Sequence, residues 1–152
     1  MRRFSSVFLA LAGASLIVGS TAALAAANAS SVIAARKDSM KKVGAAFKLV
    51  MGQTKAGSLD ANGIAAVQEL KTLSAQVDGW FPPKTGPDVD SATRAKAEIW
   101  VNRADFSTKA KAFASAAGEL QIAAASGGNV QAAAMKVAGT CKACHESYRE
   151  AY

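Results

Sequence analysis

The last third of the chain writes one apolar spacing twice. Phe106, Ala110, Phe113, Ala117, Leu120 and Ala124 follow one another at intervals of 4-3-4-3-4, and Val130, Ala134, Val137, Cys141, Cys144 and Tyr148 repeat the pattern. On an α-helix this spacing forms one stripe; on a strand it would scatter over both faces. Ser126-Gly127-Gly128-Asn129 separates the two runs and is a turn by composition. Two helices of about 20 residues joined so tightly lie side by side and antiparallel.

The same logic holds upstream. Ile33, Met40 and Phe47 are seven apart, with Val43 and Val50 between and beyond them, which predicts a helix over 30–52. Asn28 or Ser30 can cap its start, and Gly52 lies near its end. A second helix is predicted over 59–79, with Asp60 early, Gly63 weakening the first turn, and Ile64, Val67, Leu70, Leu73 and Val77 on its stripe. Residues 80–102 break the pattern. Trp80-Phe81-Pro82-Pro83 stops the helix, because proline clashes with the preceding turn. Gly86-Pro87 keeps the chain irregular, a short helical turn is expected over 91–97, and Ile99-Trp100 packs back on the core. The third helix is expected to start near Asp105. No segment alternates with period two. The fold class is therefore all-α, an antiparallel up-down-up-down four-helix bundle. Alanine at so many seam positions lets helices approach closely but leaves the core thin, and a bulky planar group between helices would fill it.

At 152 residues and 15.5 kDa, 51% hydrophobic and 19% charged, the chain has room for one domain. Residues 1–25 are predicted to be a cleaved secretory signal peptide: Arg2 and Arg3, an apolar run from Val7 to Val18, then Ala23-Leu24-Ala25 at the cleavage position, with Ala27 as the alternative. That run is too short to span a bilayer, which needs about 20 residues, and no membrane span remains after cleavage. Residues 26–152 then form the single domain, with the periplasm as its destination. Lys and Arg outnumber Asp and Glu by 18 to 11. Nucleic acid is no expected partner of this basic chain, since no groove-reading motif appears.

The two cysteines and the one histidine fall within five residues, Cys141-Lys142-Ala143-Cys144-His145. C-x-x-C-H is the attachment motif of c-type haem. Two thiols add across two vinyl groups to form thioethers, and a three-residue offset on a helix puts both sulfurs on one face. His145 follows at once, placed to reach the iron as proximal ligand. The competing chemistries are poorer. A zinc site wants four ligands and the chain has three soft ones. A thioredoxin-like redox pair wants a βαβ context. A disulfide here would close a tiny loop inside a helix. One motif implies one covalent haem c, held near the C-terminal helix.

The position of that motif, close to the chain's end, adds a resemblance. Cys141-Lys-Ala-Cys-His145-Glu-Ser-Tyr148-Arg149 resembles the class II c-type cytochromes, the cytochrome c′ family and its low-spin relatives. The likeness extends to Arg36-Lys-Asp-Ser-Met40-Lys-Lys-Val-Gly44, Phe81-Pro82, and Ala97-Glu-Ile-Trp100 with Phe106. The resemblance implies a left-handed bundle, often a homodimer, with one haem. By the same resemblance Cys141 and Cys144 hold the haem, His145 is the proximal iron ligand, Arg36 lies near a propionate, and Arg149 sits at the haem edge one turn beyond His145.

Arg36 and Met40 are four apart and share a helix face. An arginine on a propionate would make a charge-assisted pair; its bland alternative is a solvated surface arginine. Met40 is bland core, or blocks a vacant sixth site in a high-spin protein, or ligates iron as the distal ligand in a low-spin one. Two function classes follow. The leading one is a periplasmic mono-haem electron carrier that meets redox proteins transiently at its haem edge. The alternative is a high-spin cytochrome c′ that binds or detoxifies a small gas such as NO or CO at a hindered site. An enzyme is not expected, because the only histidine is committed to iron and no paired carboxylates or activated nucleophile stand out. Trp80 and Trp100 read as loop anchors. Lys41-Lys42 reads as a solvated face that could also dock an acidic partner.

Overall fold

The computed structural model describes residues 19–151, with side chains from residue 27 onward. The expected leader at 1–25 lies outside the described residues except for 19–25, which begin the first helix. Four long helices carry the fold: α1 Gly19–Lys55, α2 Ala61–Ser74, α4 Arg103–Ser126 and α5 Val130–Tyr148, with α3, Glu98–Val101, a single turn before α4. Around the bundle α1 packs on α2, α2 on α4, α4 on α5, and α5 closes back on α1, where the helices meet most sparsely.

The buried stripe of α1 runs Ile33, Arg36, Val43, Ala46, Val50 and Thr54, with Met40 and Phe47 half-buried beside it. Asn28 and Ser30 do not cap this helix; they lie inside it, where Ser31 Oγ donates back to the Asn28 carbonyl at 2.8 Å. Alanines at 25–27 and 29 extend the helix upstream because alanine loses no side-chain entropy there. Asp60 caps α2 by accepting from Gly63 N–H at 2.8 Å. It is also gripped by Gln53, whose amide donates to the Asp60 carboxylate at 2.8 Å and accepts from its backbone N–H at 3.0 Å. Gly63 is glycine for space, since a Cβ there would meet Gln53 Oε1 at 2.0 Å and Leu59 Cδ2 at 2.9 Å.

α2 stops at Ser74, short of the expected 79, and Val77–Trp80 tighten into a 3-10 turn. Val77 is buried as the stripe predicts, whereas Ile64 is 46% exposed. The helical turn expected over 91–97 is absent and appears instead at Glu98–Val101. Residues 94–96 are drawn out because their backbone pairs with the end of α5. That isolated antiparallel bridge, Ala95 with Arg149, is the only β-type pairing among the described residues. α4 begins at Arg103, one half-turn before the expected Asp105, and ends at Gly127, whose left-handed φ of 68° suits a residue without Cβ. Asn129 caps α5 by accepting from Ala132 N–H at 2.9 Å.

Phe106 anchors the core at 2% exposure. Its ring meets Phe81 edge-on at 4.8 Å and Tyr148 at 5.4 Å, while Trp100 flanks Phe81 at 6.3 Å. Aromatic pairs of this kind add about 0.5–1.5 kcal/mol beyond their area burial. They fasten the irregular 81–100 segment onto the bundle.

Candidate functional site

α5 delivers the chemistry. Cys141 and Cys144, three apart, are both half-buried and pack against the core cluster, so they share the inward face. Burial raises both thiols above their ordinary range. Cys144 is pushed further by Cys141 and by Asp105, against a lowering from Lys109. His145 is the next residue and turns outward. Desolvation first, then the charges of Arg149 and Arg94, lower its imidazole pKa and favour the neutral ring, the form whose nitrogen lone pair can bind a metal.

α1, which meets α5 across the sparsest seam, carries Met40, half-buried against the core with buried Val43 one turn on. Two neighbouring helices thus carry the soft donors on α5 and a half-buried thioether on α1. The donor set fits haem c: two thiols on one helix face, an imidazole beside them, and a thinly packed interhelical space next to both. Among the described residues no cluster of three His, Cys, Asp or Glu side chains could hold a metal ion by itself.

Arg36 is not a solvated arginine. It is buried at 4% exposure. Its two terminal nitrogens donate to the Thr85 carbonyl at 3.1 Å each, to Thr85 Oγ1 at 3.3 Å and to Thr93 Oγ1 at 3.0 Å. The guanidinium lies 4.6 Å over the Phe81 ring and 5.9 Å from that of Trp100. Desolvation lowers its pKa, partly offset by Asp90. Arg149 is half-buried and caps α5, its N–H donating to the His145 carbonyl at 3.1 Å. Lys41 is exposed and pairs with Asp38 at 2.9 Å. Trp100 anchors the loop through Nε1, which donates to the Pro82 carbonyl at 2.8 Å.

Thr85 and Thr93, the partners of Arg36, are residues that periodicity alone does not single out. The signal for them is indirect: Arg36 sits on the apolar stripe of α1, and a buried cation there requires oxygen partners from another segment. Asp105 is another residue that periodicity does not single out. It accepts a 2.6 Å hydrogen bond from the Tyr148 hydroxyl, and Tyr148 is pushed up to about 12 by desolvation and by that carboxylate.

The family model for cytochrome C' matches residues 31–149. Among curated proteins, the cytochrome c' of Cereibacter sphaeroides is 36% identical over 141 residues, covering 90% of this chain and 94% of the relative. The cytochrome c' of Pararhodospirillum photometricum is 33% identical over 119 residues, covering 76% and 93%. Among solved structures, cytochrome c' from Rhodobacter Spheriodes aligns with a TM-score of 0.72 at 33% identity, over 82% of this chain and 98% of that one. A nitric oxide complex of a variant cytochrome c prime from Alcaligenes xylosoxidans aligns with a TM-score of 0.69 at 32% identity, over 81% and 97%.

Proposed function

Because the chain belongs to the cytochrome c′ family, whose members carry one covalent haem c, we propose that it is an exported haem protein that takes up a small neutral gas, nitric oxide above all, on the α1 side of the haem. Cys141 and Cys144 form the thioethers, His145 is the proximal ligand, and Met40 occupies the distal space as a displaceable apolar plug. When bound, the haem supplies an iron able to take a diatomic ligand. The chain's own residues decide which ligands reach it.

The observation that carries this reading is the α1 face itself. Met40 and Val43 offer no imidazole, carboxylate or hydroxyl toward the seam. Arg36, one turn away, is committed to Thr85 and Thr93, so the Met40 position favours a neutral ligand over a charged one. The nitric oxide complex of an aligned relative supports it. The reading displaces electron transfer, which the sequence puts first. No helix among the described residues is long and apolar enough to cross a membrane, in keeping with release into the periplasm after cleavage near Ala25. We place a homodimer contact on the α1–α2 face, where Leu49 and Ile64 are 40% and 46% exposed.

The test is spin state and gas uptake of the haem-loaded protein. High-spin ferric spectra, ready CO and NO binding, and faster uptake in Met40→Ala are expected. A low-spin wild type that ignores CO until Met40 is replaced would make Met40 an iron ligand and return the protein to the electron carriers.

A further inference from the structure

The loop between α2 and α4 touches both helices that flank the haem seam, and its contacts join into one line. Met40 stands one turn from Arg36 on α1. Arg36 donates to Thr93 Oγ1 at 3.0 Å, and the same oxygen accepts from Ala95 N–H at 3.4 Å. Ala95 is the loop half of the bridge to Arg149. On either side of it Lys96 N–H donates to the Tyr148 carbonyl at 3.0 Å, and Glu150 N–H to the Arg94 carbonyl at 2.9 Å. Arg149 N–H in turn holds the carbonyl of His145 at 3.1 Å. Resting on the gas-binding reading, we infer that Arg36, Thr93 and Ala95 form a strap that mechanically couples the Met40 face of α1 to the His145 turn of α5, with Thr93 as the positioning residue at its centre.

The physical reason is the absence of slack. A buried guanidinium whose hydrogen bonds run to two threonines of the same loop cannot shift without leaving a charge unsolvated, which is costly. Displacing Met40 to admit a ligand moves α1 at Arg36, and the strap passes that movement to the cap of α5. Coupling of this kind needs a continuous physical network, and here each link is a hydrogen bond or a backbone pair. The aromatic stack of Phe81 and Trp100 beneath Arg36 keeps the guanidinium in plane with the loop.

The test uses the haem-loaded protein with Thr93→Val, its hydroxyl-restoring counterpart Thr93→Ser, and Thr54→Val as a control. Thr54 is also buried but lies near the other end of α1. In Thr93→Val, amide hydrogen exchange at Lys96 and Glu150 is expected to rise about tenfold, the loss of one hydrogen bond to a charged group. The CO association rate should change severalfold with it, and Thr93→Ser should restore both. Unchanged exchange overturns the strap. Faster exchange with an unaltered CO rate overturns it too, since the loop would then be fastened independently of the gas site. The same changes in Thr54→Val would reduce the effect to general softening and overturn it likewise. If the wild type takes up no CO at all, it is the gas reading that fails, and the strap is then judged on exchange and on the ferric spectrum of Thr93→Val.

Discussion

Replacing Tyr148 with Phe deletes one oxygen and leaves the ring that stacks on Phe106. What is lost is the 2.6 Å hydrogen bond to Asp105. Hydrogen bonds to charged groups contribute about 1.5–3 kcal/mol, but the Asp105 side chain is 56% exposed, so water screens the pair and about 1–2 kcal/mol is the expected loss near pH 7. The pH dependence is sharper than the magnitude. Tyr148 has a folded-state pKa of about 12 against an ordinary value of about 10. Its raised pKa favours the fold below pH 10, where both states hold the proton. Between about pH 10 and 12 the unfolded chain releases that proton first, and stability falls. Tyr148→Phe has no such proton to lose. Urea unfolding of both proteins from pH 7 to 11.5 should therefore show wild type ahead at neutral pH, with the difference shrinking steadily above pH 10. An ultraviolet titration of the phenolates should show one of the two tyrosines ionising late. A stability difference that stays flat with pH, or two phenolates that both titrate with midpoints at about pH 10, would refute the assignment.

Other outcomes follow from the same structure. Phe106→Ala empties the centre of the aromatic stack and should cost about 3–5 kcal/mol in denaturant unfolding. Gly127→Ala forces a Cβ into a left-handed turn and should cost about 1 kcal/mol, whereas Gly52→Ala, with open space around its Cβ position, should raise stability by about 0.5–1 kcal/mol. Cys141→Ala together with Cys144→Ala should abolish the haem-stained band after denaturing electrophoresis; a stained band that survives in the double variant would remove these thiols as the attachment points. His145→Ala should lose the wild-type ferric and ferrous spectra, and their retention would deny it the proximal role.

Most of the bundle was legible because helical stripes are a local code. Phe106, Ala110, Phe113, Ala117 and Leu120 are buried as spaced, and so are Ala134, Val137 and Tyr148 on α5. The haem motif was legible for a chemical reason, since three soft donors in five residues leave few alternatives. Helix ends were read less well, because they depend on partners distant in sequence. α2 stops at Ser74 and the 91–97 turn gives way to extended backbone, both parts of a segment whose bonds run to α1, α4 and α5. Arg36 shows the same limit. Its face was readable from spacing, but Thr85 and Thr93 lie 49 and 57 residues away and have no period to betray them.

The pairing of the loop with the end of α5 bears on the order of assembly. Arg94 and Glu150 are 56 residues apart. Contacts of such long range form late, after local helices. The pairing of the loop with the end of α5 therefore closes after the helices it joins have formed. A variant that weakens Thr93 should slow that closure, seen as a slower last phase of refolding, with no change in the earlier formation of the helices.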